Sequence, residues 1–256
     1  KQTIEDRYTA TSQYLIILSC KGTFIMYTLY HQDGTRSGAA LLALEEGGLD
    51  YRIRTIDISA YEHQENDFVR INPRGLIPTL LTDTREVISE TAAIMLYVAD
   101  RHQLAQLAPL PQEPDRGKLH DWLFYHVGEV QEAGKRNAYA NRYSTDISDT
   151  PRIQEKAQQA LLEKWRIVDQ HLAENGPFHL GERFSLVDLY LAITAAWLKP
   201  RDSRTRLQSG GSTFILSDLP AVKRCYDLVR ERPKSRPILE RHDTGLRELM
   251  ARALPK

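Results

Sequence analysis

The segment Ile71-Asn-Pro-Arg-Gly-Leu-Ile-Pro78, followed eleven residues after Pro78 by Ser89-Glu-Thr91, has the residue types to hold a small zwitterion. Asn72-Pro73 and Gly75 mark a tight loop, and Ile77-Pro78 opens a short apolar run, Thr79-Leu80-Leu81. Proline is tolerated at the first residue of a strand because its missing N–H need not join the ladder. A cis Ile77–Pro78 bond would turn the Ile77 main chain outward, free to pair with an extended ligand. Ser89-Glu90-Thr91 reads as a helix start, where unpaired N–H groups attract a carboxylate. A free strand edge beside an anion-binding helix end predicts an extended, peptide-like ligand carrying charges of both signs.

The elements that must position these residues follow from periodicity. Tyr27 to Tyr30 reads as a short strand and residues 31–37 as a loop. Ala39 to Glu46 is dense in Ala, Leu and Glu, which favours a helix ended by Gly47-Gly48. From Tyr51 to Ile58 the chain is strand-like, with Arg52 and Arg54 alternating against Tyr51 and Ile53. Residues 60–70 are helical or irregular. Pro78–Leu81 and Glu86–Ile88 flank a hairpin turn at Thr82-Asp83-Thr84, and Ser89 to Arg101 reads as a helix. The order is βαβ, a short helix, then ββα.

His102 to Pro114, with Pro109, Pro111 and Pro114, reads as a linker. Beyond it only helical spacing recurs. Leu119, Trp122, Leu123, His126, Val127 and Val130 share one face, as do Ile153, Ala157, Leu161, Trp165, Val168 and Leu172. Ser185 and Asp188 form a capping box with Asp in place of Glu, and Phe184 can staple onto Leu189. Residues 199–213 read as an exposed loop, and Leu219–Arg232 and Ile238–Ala253 as two last helices. The domains expected are an extension at 1–25, an α/β domain at 26–102, a linker at 103–114 and an all-helical domain at 115–256. An additional edge strand is the alternative for residues 1–25.

Composition narrows the function. Lys+Arg and Asp+Glu are both 34 in 256 residues, so no basic excess points to nucleic acid. Cys20 and Cys225 lie far apart and outside zinc or CxxC spacing, which suits a reducing, cytoplasmic compartment and no structural metal. No apolar run approaches the roughly 20 residues of a membrane span; Tyr14-Leu-Ile-Ile-Leu18 is too short.

Four motifs in order and spacing carry a family resemblance: Leu41-Leu-Ala-Leu-Glu-Glu46, Asn72-Pro-Arg-Gly-Leu-Ile-Pro78, Ser89-Glu-Thr-Ala-Ala-Ile94 and Gly181-Glu-Arg-Phe-Ser-Leu-Val-Asp188. With Asp218-Leu-Pro-Ala-Val222 through Pro233, residues 26–242 resemble a cytosolic glutathione transferase, of theta-, beta- or nu-like class. The resemblance implies a thioredoxin-like N-terminal domain, a C-terminal helical bundle and a homodimer. It implies glutathione as co-substrate, with no metal, and a small apolar or aromatic electrophile as partner. Ile77, before a cis Pro78, would pair with the cysteinyl unit. Glu90 would take the γ-glutamyl ammonium, and Thr91 with its N–H would take the carboxylate. Helix capping alone is the competing reading of Glu90 and Thr91. Leu76 stands where the family often carries Lys, Gln or Thr, so the glycyl end falls to Arg74, His63 or Arg36.

The chemistry implied needs a thiolate, and a free thiol with pKa about 8.5 is little ionised at neutral pH. A hydroxyl donor aimed at sulfur stabilises the anion. Counting back from Leu41–Glu46, the theta-like serine position falls near Gly34 or Thr35, the beta-class cysteine on Arg36, and the alpha-like tyrosine on Tyr30. Ser37, Thr35 and Tyr30 therefore compete, with Ser37 favoured for its place at a helix N-terminus; Ser37 is equally suited to capping and Tyr30 to a strand interior. Arg36 can lower the sulfur pKa by charge. Trp122, Tyr125 and His126, with Tyr139 and Trp197 behind them, are the aromatic candidates for the electrophile pocket. Etherase or dehalogenase chemistry on the same scaffold remains open, as does a noncatalytic binding module. Deglutathionylation is disfavoured because the 31–38 loop has no cysteine.

Overall fold

Strand β1 (Tyr27–His31) is buried on both faces, which only a central strand can be. The computed structural model, which describes residues 26–199 and 214–253, places it so. The sheet order is β2-β1-β3-β4, with β2 (Tyr51–Thr55), β3 (Thr79–Leu81) and β4 (Val87–Ser89). β1 runs parallel to β2 (Leu29 opposite Ile53) and antiparallel to β3 (Leu29 opposite Leu80). β2 is an edge, and there the alternation holds: Tyr51 and Ile53 are buried, Arg52 and Arg54 exposed. It stops at Thr55, three residues short of the sequence expectation.

Helix α1 (Ser37–Gly47) crosses between β1 and β2 and ends at Gly48, whose φ of 69° needs no Cβ penalty. Leu41, Leu42 and Leu44 are fully buried because α1 packs against α3 (Thr91–Arg101) on one side and α7 (Leu186–Ala196) and α9 (Ser235–Ala253) on the other. The opposite sheet face holds a smaller core of Tyr30, Ile56, Phe68 and Ile77, covered by the one-turn helix α2 (Asn66–Val69). In the β3–β4 hairpin, Thr82 N–H bonds Glu86 O at 2.9 Å, and Arg85 takes a positive φ of 65°.

The helical region comprises α4 (Arg116–Tyr125), a π-turn at His126–Val130, α5 (Gln131–Ala138), α6 (Thr150–Asn175), α7 (Leu186–Ala196), α8 (Pro220–Glu231) and α9 (Ser235–Ala253). Apolar spacing sets α6: Ala157, Leu161, Trp165, Val168 and Leu172 face inward. α7 is buried all round, and the Ser185–Asp188 capping box is formed as the spacing predicts. Phe184 stacks edge-on to Phe178 and is covered by the Arg232 guanidinium at 3.9 Å.

Charge fastens the two regions together. The buried Glu46 carboxylate accepts from Arg232 at 2.7 and 3.1 Å and from Ser235 Oγ at 2.7 Å. Arg116 grips Asp100 bidentately at 2.8 Å and donates to Pro109 O. In the segment between them, Leu104, Leu107 and Ala108 are buried, so it is packed rather than free. No helix among the described residues is long and apolar enough to cross a membrane. The extension at 1–25 and most of the loop expected at 199–213 lie outside the described residues.

Candidate functional site

The Ile77–Pro78 bond is cis, as the sequence expectation required. Asn72 holds this loop: its Nδ2 donates to Leu76 O and to Thr79 Oγ1, both at 2.9 Å, and its Oδ1 accepts from Arg74 N–H. The result is that the main-chain N–H and C=O of Ile77 have no hydrogen-bond partner among the described residues. Such a pair, buried at the side chain and open at the backbone, is an edge for one extended peptide unit.

The sequence expectation for Ser89 is corrected by the structure. Ser89 closes β4 opposite Thr79, and α3 begins only at Thr91. Between them Glu90 takes φ 73° and ψ 123°, a conformation costing a non-glycine residue about 1–3 kcal/mol. The kink turns the Glu90 carboxylate to solvent beside Arg74, 3.3 Å away. Both partners are more than half exposed, so this pair is weak and easily exchanged. Thr91 is 4% exposed, yet its hydroxyl has no hydrogen-bond partner. Its position at the first turn of an eleven-residue helix adds the positive end of the helix dipole.

These groups converge. One cleft is lined by Arg36, Arg74, Leu76, Ile77, Pro78, Ser89, Glu90 and Thr91. It carries two guanidinium groups and one carboxylate. Behind it, Tyr190 of α7 donates to Gln131 of α5. Burial pushes the Tyr190 hydroxyl pKa up, and Arg36 and Glu90 act on it electrostatically in opposite senses.

The three hydroxyls named as thiol activators do not line this cleft. Ser37 is fully buried, and its Oγ is 2.6 Å from His31 Nδ1 and 2.7 Å from Thr35 Oγ1. It is the first helical residue of α1, while Arg36 holds the cap position, so Ser37 is not the cap either. Thr35 Oγ1 donates to Gln32 O at 2.8 Å. Tyr30 packs edge-on to Phe68 in the small core. His31, whose far ring nitrogen lies 3.0 Å from Asp33 Oδ1, is the residue that draws Ser37 inward, and the sequence reading missed it.

Of the groups considered for the glycyl end, Arg36 and Arg74 reach the cleft and His63 does not. His63 stacks with Tyr61 in the loop beneath Gly75. The aromatic candidates are likewise elsewhere. His126 is fully buried, with its Nε2 3.0 Å from His179 Nε2, and burial first and His179 second hold its pKa well below the ordinary value. Trp122 stacks on His171 at 4.1 Å, and Tyr125 donates to Lys164 O. Tyr139 is exposed under Arg142, and Trp197 ends α7 against the main core. The structure does not bring these five side chains to the cleft.

A sheet of this order with a cis-proline before β3 and an all-helical partner defines a class of protein, the thioredoxin-like domain joined to a helical bundle. The comparisons agree. Residues 37–101 match the glutathione S-transferase N-terminal domain, and residues 137–227 match the glutathione S-transferase C-terminal domain. An uncharacterised GST-like protein of Streptococcus mutans is 30% identical over 79% of this chain and 81% of its own length. The disulfide-bond oxidoreductase YfcG of Escherichia coli is 27% identical over 86% of this chain and 97% of its own. A glutathione transferase homologue from Sulfitobacter, solved with bound glutathione, superposes with TM-score 0.72 at 24% identity, covering 84% of this chain and 97% of that one. The chain belongs to the glutathione S-transferase family.

Proposed function

We propose that this protein binds glutathione in the cleft and transfers its thiolate sulfur to a small electrophile. The observation that carries the reading is complementarity. Apart from Arg36, the cleft presents one cation in Arg74, one carboxylate, one unpaired main-chain edge and one unpaired buried hydroxyl. Glutathione presents two carboxylates, one ammonium and a peptide backbone. Ile77 pairs with the cysteinyl unit, Glu90 takes the ammonium, and Thr91 with the α3 N–H groups takes the γ-glutamyl carboxylate. Arg74 is left to exchange its weak bond to Glu90 for the glycyl carboxylate. That the Sulfitobacter relative was solved with bound glutathione supports glutathione as the ligand.

A second reading has its own observation. None of the three residues that carry the candidate hydroxyls lines the cleft, which suits a module that binds glutathione without activating it. Titration calorimetry with glutathione, paired with a chlorodinitrobenzene conjugation assay, separates the two. Binding with turnover supports the transferase; binding without turnover on a panel of electrophiles supports the module. Absence of binding removes both.

A further inference from the structure

The loop between β1 and α1 borders the cleft, and its side chains are almost all spoken for. Gln32 Oε1 accepts from Ile58 N–H at 2.9 Å, tying the loop to the turn after β2. Asp33 faces His31 and lies 3.8 Å from Arg241 of α9. Gly34, at φ 84°, is pressed on α9: a Cβ there would lie 2.6 Å from the Gly245 carbonyl carbon. Thr35 and Ser37 bond each other, Gln32 O and His31. Arg36 stands between these two locked hydroxyls, with its backbone fixed from both sides. Of residues 31–38 it alone lines the cleft. Its guanidinium has no hydrogen bond or ion pair among the described residues.

We propose that Arg36 is the group that ionises bound glutathione, taking the place of a hydroxyl donor; the proposal rests on the glutathione reading above. The sulfur's S–H bond breaks, its electron pair stays on sulfur and the proton leaves to solvent water. Arg36 stays protonated throughout, because a guanidinium does not titrate in this range. A fixed cation within about 4–6 Å of the sulfur lowers the thiol pKa by roughly one to three units. The positive end of the α1 dipole adds potential of the same sign. The Thr35–Ser37–His31–Asp33 chain supports this chemistry indirectly, by holding in place the residue that carries the charge.

The test titrates the thiolate ultraviolet absorbance of glutathione bound to the wild-type protein, Arg36→Gln, Arg36→Lys, Tyr30→Phe, Thr35→Ala and Ser37→Ala. Binding of S-methylglutathione, which has no thiol to ionise, is measured beside it by calorimetry. The bound thiol of the wild type is expected to titrate below its value in free glutathione. Arg36→Gln should raise it by about one unit or more, and Arg36→Lys should retain part of the depression, since the charge remains. S-methylglutathione affinity should change less than about threefold in Arg36→Gln. The proposal is overturned by an undepressed wild-type thiol, or by a hydroxyl variant that raises the thiol pKa as much as Arg36→Gln. It is also overturned if Arg36→Gln weakens S-methylglutathione about tenfold while leaving the thiol pKa in place, which would assign Arg36 to a carboxylate. Failure of S-methylglutathione to bind the wild type identifies the glutathione reading itself as the error.

Discussion

Two polar clusters in this molecule are built in opposite ways. The cleft around Ile77, Glu90 and Thr91 is open, and several of its donors and acceptors have no protein partner. The cluster around Asp188 is sealed. Its carboxylate accepts from Ser185 N–H and Oγ at 2.7 and 2.9 Å, and from His179 N–H and Nδ1 at 3.0 and 2.8 Å. His179 then bonds His126, and Cys225 Sγ points at Asp188 at 3.7 Å, its thiol pKa pushed up by burial. A buried polar group without a partner costs free energy. The Asp188 carboxylate is satisfied within the fold, with only His126 Nδ1 behind it left over, whereas the unpaired groups around Ile77 and Thr91 face a cleft that a ligand can fill.

The sharpest way to break that contrast is to remove Asp188. Asp188→Ala leaves five buried donors stranded, the Cys225 thiol among them. Unfolding in urea should then show a loss of about 3 kcal/mol or more, the scale for stranding several buried donors at once. Asp188→Asn keeps the shape and should lose less. A loss below about 1 kcal/mol in Asp188→Ala would dissolve the distinction between the clusters.

Acid should act on the sealed regions next. His126 and His242 are both buried, and burial lowers both pKa values below the ordinary 6.5, His242 to about 4. For a base depressed in the folded state, the unfolded chain binds more protons as pH falls. Stability is therefore full above about pH 6.5 and declines between there and pH 4. His242 alone accounts for on the order of 3 kcal/mol across that window. Urea midpoints at about pH 7 and pH 5 check the sign; greater stability at the lower pH would refute it.

At the open cluster, binding and stability should separate. Glu90→Gln is expected to weaken glutathione by about 10- to 100-fold, the worth of a charged hydrogen bond, with little change in unfolding. Glu90→Gly should weaken glutathione equally and raise stability by about 1 kcal/mol, because glycine accepts the positive φ. Calorimetry and denaturation on one sample read both. The smallest effect belongs to Thr91→Val: about fivefold weaker binding, the worth of one neutral hydrogen bond, with stability unchanged. A large loss of stability there would show that the hydroxyl has a partner in the fold.

Local chemistry made part of this legible in the sequence. The loop from Asn72 to Pro78, the Ser185–Asp188 box and the helical face of α6 are each encoded within a few residues. The sequence places the start of α3 at residue 89 and the structure at Thr91, because nothing in the composition signals the positive φ of Glu90. The direction of Ser37 was illegible for a different reason. Its partner, His31, lies on another element, and a hydroxyl at a helix start serves a ligand or a neighbour equally well. His126 sits on an apolar helical face that suits a pocket or a core. Its partner His179 is far off in the chain, so only the fold decides between them.

The contact between Gly34 and Gly245 sets an order of events during synthesis. The sheet can pair as soon as Ser89 has left the ribosome, since all four strands are then present. The loop that carries Arg36 is backed only when α9 arrives, some of the last described chain to emerge. An incompletely translated chain would hold the cis-proline edge without the finished loop. The ionisation proposed for Arg36 would thus await the arrival of α9.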